Sequence, residues 1–495
     1  MDIAVLLFLT SGLFLGWSLG ANDAANVFGT AVGTRMIRFA TAAGLCSVFV
    51  IIGAVAGGAG AAESLGRLGA VNALPGSFMA ALAAAFAVYV MTKAGLAVST
   101  TQAIVGAIVG WNLFSESLTD SGALTKILST WLICPVLAAG IAIPLYWLTR
   151  RALQAAQLHL LRVDSYTRLG LVLAGMFGAY SLGANNIANV VGVFVPASPF
   201  TEFSMLGMFS VSSVQQLFML GALAIGAGVI TYSKRVMFTV GSGLLPLSPV
   251  AAWVAVMSHS LVLFLFASEG LESLLARYGL PTIPLVPVSS SQAVVGAIVG
   301  IGLMQGGQHI RWRLLGSIGL GWVATPLIAG LICFIGLFFL QNVFGQRVFR
   351  EVPYVLSAQV LQRLGSEGIS SEPLGDLRGR RFTSAAQFRK ALAQEEVRLD
   401  TAREAALFKF AEMDEMRMDV AHFERMELGT LSSAQQLAVT ALAGRTFPHR
   451  WMLAEALARE TAEWRLPPDS PAQRQERRRL AAKLNFVYRT FRSAK

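Results

Sequence analysis

Two short polar blocks occur twice in this chain, in the same order, each embedded in apolar sequence. Residues 18–29 read SLGANDAANVFG and residues 181–192 read SLGANNIANVVG, identical at nine of twelve positions. Residues 98–110 read VSTTQAIVGAIVG and residues 288–300 read VSSSQAVVGAIVG, identical at ten of thirteen. A third pair, WLICP at 131–135 and WVATP at 322–326, closes each copy. Chance likeness between Gly- and Ala-rich helices accounts for one such match. It does not account for three in order with their polar residues kept. The chain is duplicated internally, and its fold has to accommodate two equivalent halves.

Only 14% of the 495 residues are charged, against about 25% in an ordinary soluble domain, and the mean hydropathy is +0.60. The charge is also uneven: residues 1–345 hold 14 Lys and Arg and 9 Asp and Glu, whereas residues 346–495 hold 25 and 19. The first part therefore reads as a membrane domain and the rest as a soluble tail. A crossing helix needs about 20 apolar residues. Candidate spans are 3–33, 38–61, 77–93, 98–113 and 124–149, then 169–195, 203–231, 248–268, 287–305 and 316–343.

Five spans per copy is an odd number, so the second copy enters from the opposite side, as in many secondary transporters. The expected fold is an all-α polytopic membrane protein. It has two inverted-topology repeats with broken helices and helical hairpins, plus a helical soluble C-terminal tail. The divisions are repeat 1 at 1–149, a basic linker at 150–168, repeat 2 at 169–345 and the tail at 346–495. With the N-terminus outside, the cytoplasmic loops collect Arg35, Arg38, Arg150, Arg151, Arg162, Arg168, Lys234, Arg235, Arg311 and Arg313. The outer loops keep only Arg67, Lys126 and Arg277, the asymmetry expected of inner loops. Parity then returns the tail to the outside.

The sequence pI near 9.9 follows from those inner-loop cations and does not require nucleic acid. Cys46, Cys134 and Cys333 lie in apolar segments and read as packing residues. The first segment has no basic start and runs past signal-peptide length, so no cleavable leader is evident. The tail alternates polar and apolar residues at helical spacing. Its basic run QRQERRRLAAKL (473–484) reads as a solvated helix face.

Asp23 is the one acid well inside any candidate span. An ionised acid there costs about 2.5–3.5 kcal/mol even on insertion scales, so it is expected to work for its place. Gly20, Gly29 and Gly33 flank it, and local unwinding would free carbonyls. Those carbonyls, the Asp23 carboxylate, Asn22 and Asn26 would cage Na⁺, or Asp23 would carry a proton. The second copy offers Asn185, Asn186 and Asn189. Ser99, Thr100 and Thr101, and likewise Ser289, Ser290 and Ser291, stand where a helix begins. Capping hydroxyls, free amides and the helix dipole attract an anion there. Two such ends meeting between inverted halves would hold one tetrahedral oxyanion, with Gln102 and Gln292 orienting the anion or the cation. The assignment adopted gives the anion Asn26, Asn189 and the two hydroxyl runs. It gives the coupling cation Asn22, Asp23, Gln102, Asn185, Asn186 and Gln292, with Na⁺ at Asp23. Lys93 reads as a residue reaching the interface, and His259 as a satisfied core histidine.

The paired GANDAAN and GANNIAN, with VSTTQAIVG and VSSSQAVVG, resemble the inorganic phosphate transporter family over about residues 1–345. TVGSGLLPLSP (239–249) is similar to a further stretch of that family. The resemblance implies cation-coupled uptake of inorganic phosphate, driven by Na⁺ or H⁺, in a bacterial-type inner (plasma) membrane. It implies both termini outside, and it places Asn22, Asp23, Asn26, Asn185, Asn189 and the hydroxyl runs at binding positions. Where the family's second copy has an Asp, this chain has Asn186, which bears on cation number and on anion preference. A sulfate or other oxyanion permease of the same fold is the alternative, and an anion channel or a phosphate sensor is a second. No P-loop, metal-spaced His/Cys set or triad is found, so no enzyme and no cofactor is expected. The expected partners are inorganic phosphate and membrane lipids, with no nucleic acid; a homodimer is compatible with the reading.

Overall fold

The computed structural model describes residues 3–492 except 70, 94–97, 201–202, 206–208, 238–246, 308–309, 371, 398 and 420–430. Most of TVGSGLLPLSP falls outside the described residues. The first half is helical throughout: α1 Ile3–Gly33, α2 Phe39–Gly57, α3 Ala59–Leu68, α4 Leu74–Lys93, α5 Thr100–Phe114 and α6 Ser121–Ala156. The second half holds α7 Leu160–Val191, a short ribbon of β1 Phe203–Met205 and β2 Phe209–Val211, and α8 Ser213–Thr231. It continues with α9 Pro249–Ala267, α10 Glu269–Arg277, α11 Ser290–Met304 and α12 Trp312–Asn342.

Eight of these helices are long and apolar enough to cross a membrane: α1, α2, α4, α6, α7, α8, α9 and α12. The expectation of ten spans is corrected at 98–113 and 287–305. There α5 and α11 have 15 residues each, about 22 Å against a hydrocarbon core of about 30 Å. The span expected at 203–231 is kept only from Ser213, because the β1–β2 ribbon precedes α8. Helix breaks are present, but not where glycine suggested: α1 and α7 run unbroken through the repeated motif. The chain instead breaks at Gly58, between α2 and α3, and at Ser268, between α9 and α10. Ser268 accepts from the Leu271 amide and so caps the shorter helix.

The two copies pack through each other. Helix α1 lies against α8 and α2 against α7, while α5 lies against α12 and α11 against α6. Without water to drive association, membrane helices hold by close backbone approach at small residues. Gly20 faces the Ile225 backbone of α8 and its repeat mate Gly183 faces the Val50 backbone of α2. Gly106 abuts the Pro326 backbone and Gly296 abuts that of Pro135. A side chain at either of the last two would collide with main chain. These are the repeated Gly and Pro positions of the sequence, so the duplication is one of packing as well as of letters.

Helices α5 and α11 leave the interior in opposite directions. Trp111, near the end of α5, donates to the Val348 carbonyl at 3.2 Å, beside the tail. Gln305, just past α11, donates to the Tyr146 hydroxyl at 3.0 Å, towards the far end of α6.

The tail is two small units with separate cores, one built on Leu364, Leu377 and Phe388 and one on Leu453, Trp464 and Leu484. The first unit has β3 Tyr354–Val355, α13 Ala358–Ser366, β4 Arg381–Phe382, α14 Ala385–Gln394 and α15 Thr401–Ala411. The second has β5 Met416–Arg417, α16 Ser433–Ala441, β6 Thr446–Phe447, α17 Arg450–Glu460 and the terminal α18 Arg474–Phe491. In each unit a strand pairs antiparallel with a strand that follows Gly-Arg. Gly379 and Gly444 there have φ of 73° and 78°, a conformation glycine adopts without strain. Their amides donate to the carbonyls of Leu356 at 2.9 Å and Met418 at 2.7 Å. The tail is thus itself doubled, which the sequence reading did not find.

Helix α18 corrects the solvated-face reading of 473–484. Leu480, Leu484, Val487 and Phe491 bury one side of it in the tail. On the other side, Arg474 binds Glu272, and Arg478 binds both Glu269 and, at 2.6 Å, Glu63. Farther along, Arg489 donates to the carbonyls of Val195, Pro196 and Ser198 at 2.8–3.2 Å.

Candidate functional site

Because α1 and α7 stay helical through the motif, their asparagines project one turn apart on a common face. Asp23 and Asn186, which occupy equivalent positions in the two copies, touch: the Asn186 amide donates to Asp23 Oδ2 at 3.0 Å. Asn22 donates to Asp23 Oδ1 at 3.2 Å. The carboxylate is therefore held by two amides. The cage of freed carbonyls expected from unwinding is absent, since those carbonyls remain in helix.

Asn185 pairs with a peptide. Its Nδ2 donates to the Val288 carbonyl at 2.7 Å and its Oδ1 accepts from the Val288 amide at 2.9 Å. It also donates to Asn186 Oδ1 at 2.6 Å. Asn185 thus pins the segment entering α11. Asn189 donates to Thr101 Oγ1 at 2.8 Å, and Thr101 donates to the same Val288 carbonyl at 3.2 Å. On the other side, Asn26 donates to Ser290 Oγ at 2.9 Å. Each GAN motif therefore reaches the hydroxyl run of the opposite repeat.

Ser99 and Ser289 cap their helices, accepting from the amides of Gln102 at 3.3 Å and Gln292 at 3.2 Å. Ser289 and Ser291 share a hydrogen bond of 3.1 Å. Thr100 is buried beside them. The side-chain carbonyls of Gln102 and Gln292 are buried and accept no hydrogen bond among the described residues. Buried carbonyls in that condition suit a cation, and the repeat supplies two of them. Asn22 is half-buried, while every other residue assigned from sequence is at most 6% exposed.

His259 was missed. Its Nε2 lies 2.9 Å from Ser290 Oγ, and the ring is fully buried. Nothing local in VMSHSLV announces this, because the partner lies on another helix. Cys134 also comes close, its thiol 3.6 Å from the Ser289 carbonyl. Lys93 stays at the exposed end of α4, over the Tyr89 ring, and is not in the cluster. Among the described residues no group of three His, Cys, Asp or Glu could hold a metal. A cavity of about 700 Å³ lies elsewhere, between membrane domain and tail, lined by Asn72, Arg350, Asp414, Arg450 and Arg492.

The sequence profile of the phosphate transporter family matches residues 19–333 and 279–417, the second match running through the first unit of the tail to β5 of the second. A protein of Methanocaldococcus jannaschii named "Putative phosphate permease" is 29% identical over 336 residues, covering 68% of this chain and 97% of that protein. The sulfate permease CysP of Bacillus subtilis is 28% identical over 344 residues, covering 66% of this chain and 85% of its own length. A solved structure titled "The sodium-dependent phosphate transporter" superposes with a TM-score of 0.53 at 21% identity, over 69% of this chain and all of that one. At that identity the likeness is one of fold.

Proposed function

The chain belongs to the phosphate transporter family, and from that premise we propose that it carries inorganic phosphate across a membrane by cation-coupled alternating access. One observation carries the reading. Asn26 and Asn189, repeat mates on α1 and α7, bond to the hydroxyl runs that open α11 and α5. Two helix N-termini with capping hydroxyls are thereby gathered around one buried cluster, where amides and hydroxyls can wrap a tetrahedral oxyanion. The opposite headings of α5 and α11 support inverted repeats.

Ser99, Thr100, Thr101, Ser289, Ser290 and Ser291, with Asn26 and Asn189, serve the anion in this reading. Asp23 and the Gln102 and Gln292 carbonyls serve the cation, helped by Asn22 and Asn186. Hard oxygen donors suit Na⁺, and a carboxylate held by amides serves H⁺ equally. In this reading the N-terminus and the tail lie outside, which the concentration of Arg and Lys in the opposite loops supports. The chain divides by repeat, with repeat 1 at 1–149, a basic linker at 150–168, repeat 2 at 169–345 and the tail at 346–495, although the two repeats interlock in space.

A sulfate carrier is the second reading. Asn186 stands beside Asp23, leaving one fixed negative charge at the cluster and easing entry of a fully ionised dianion. The test is uptake of radiolabelled phosphate into proteoliposomes under an imposed Na⁺ gradient, then a proton gradient, with excess sulfate as competitor. Uphill uptake that sulfate does not displace is the expected result. Uptake only down the phosphate gradient would refute coupling, and displacement by sulfate would transfer the assignment to the second reading.

A further inference from the structure

Ser290 differs from every other bonded hydroxyl of the two runs. Thr101 accepts from Asn189 and spends its proton on the Val288 carbonyl. Ser289 and Ser291 are joined to each other, and Ser289 also caps Gln292. Ser290 Oγ instead lies 2.9 Å from two nitrogens, Asn26 Nδ2 and His259 Nε2. A hydroxyl has one proton and two lone pairs, and the Asn26 amide fills one pair. What happens to the other depends on where the imidazole carries its hydrogen.

Two facts decide that. His259 is fully buried, and among the described residues no carboxylate bonds to it, so an unpaired imidazolium is strongly disfavoured. Its Nδ1 has no hydrogen-bond partner among the described residues. A hydrogen on Nδ1 would be a buried donor with nothing to accept it, the rarer and costlier kind of orphan. The neutral ring therefore carries its hydrogen on Nε2.

We propose that His259 is a positioning residue that fixes Ser290 as a hydrogen-bond donor to the transported oxyanion. With both lone pairs filled by Asn26 and His259, the Ser290 proton has one direction left, towards the ligand between the helix ends. The device exists in one repeat only, since the Ala-rich α4 that corresponds to α9 has no histidine. This rests on the assignment of the hydroxyl runs to the anion.

The first test is ¹⁵N spectroscopy of histidine-labelled full-length protein, in which five histidines are to be assigned, with His259→Gln identifying the signal. A protonated Nε2 and a bare Nδ1 are expected; an Nδ1–H tautomer or an imidazolium at neutral pH overturns the proposal. The second test uses proteoliposomes. His259→Phe keeps the volume but donates nothing, and the phosphate KM is expected to rise roughly tenfold, the size of one lost charge-assisted bond, with the cation dependence unchanged. His259→Gln, whose amide can donate, is expected to restore most of that affinity. An unchanged KM in the Phe variant overturns the proposal, as does equal impairment of Gln and Phe variants. Ser290→Ala separates the two levels: an unchanged phosphate KM there refutes the anion assignment itself, whatever tautomer His259 shows.

Discussion

Replacing Asn186 by Asp removes the donor that faces Asp23. The amide nitrogen 3.0 Å from Asp23 Oδ2 becomes an oxygen, and two acceptors meet at hydrogen-bond range. Two ionised carboxylates there, with charge centres about 4 Å apart, repel by about 4 kcal/mol at an effective dielectric of about 20. That is close to three decades in an equilibrium constant. Paired acids at this range cannot both stay charged, and a proton or a metal cation between them removes the conflict. Asn185 still donates to the oxygen at position 186 that it now meets, so the surrounding frame is kept. The expected outcome is a protein that inserts normally but binds its coupling cation far more tightly. Half-saturation of phosphate uptake by Na⁺, or its pH midpoint if H⁺ drives it, should move by two to three decades, roughly, after allowance for local relaxation. The assay is initial uptake into proteoliposomes as cation concentration is varied at fixed phosphate. Asn186→Asp protein with wild-type cation dependence would refute the assignment of the Asp23–Asn186 contact to cation coupling.

Asp23→Asn is expected to abolish gradient-driven uptake while leaving insertion and monodispersity intact; wild-type uptake would remove Asp23 from the coupling role. Changing Ser99, Thr100 and Thr101 together to Ala should weaken phosphate affinity at least roughly tenfold, with less effect on the cation, and an unchanged KM would reduce that run to a cap. Arg478→Glu sets an acid between Glu63 and Glu269 and should destabilise the protein by about 1–2 kcal/mol, discounted because all three groups are partly exposed; a melting temperature equal to wild type would show the contacts contribute nothing. Asp414, in the tail, gives a pH prediction. Burial raises its pKa, but the Arg492 hydrogen bond and the charges of Arg450 and Arg492 outweigh this and leave it below the usual carboxylate range. Its stabilisation is then complete above the unfolded value of about 3.9 and is lost as pH falls through the folded one. Melting of wild type should fall more steeply than that of Asp414→Asn below about pH 4, and parallel curves would refute the linkage.

The duplication was legible because each block pairs a polar function with the packing that frames it. Gly20 and Gly183 are kept by close helix crossing, and the asparagines beside them by the hydrogen bonds they make. That α5 and α11 stop short of a full crossing was not read, although the span 98–113 was already below crossing length. Their residues are as apolar as those of true spans, and only the breaks at Ser99 and Ser289 set their length. Unwinding at Gly20 was a wrong inference of the opposite kind, since that glycine serves helix contact instead of helix rupture. The contact of His259 with Ser290 and the double tail escaped for a shared reason. A histidine's partner one helix away leaves no local trace, and two units that agree mainly at Gly-Arg-x-Phe share too few letters to show as a repeat.

The line of contacts along α18 has a mechanical consequence. Glu63 belongs to α3 of the first copy, Glu269 and Glu272 to α10 of the second, and the carbonyls under Arg489 follow α7. One rigid helix about 27 Å long is thus riveted to both halves of a duplicated machine. The rivets lie on short helices that follow Gly58 and Ser268, where the membrane helices break. A displacement of one half against the other must then tilt the rod, stretch its rivets or shear them. A tail bonded across both halves would act as a strain gauge, its orientation following any opening of the joint.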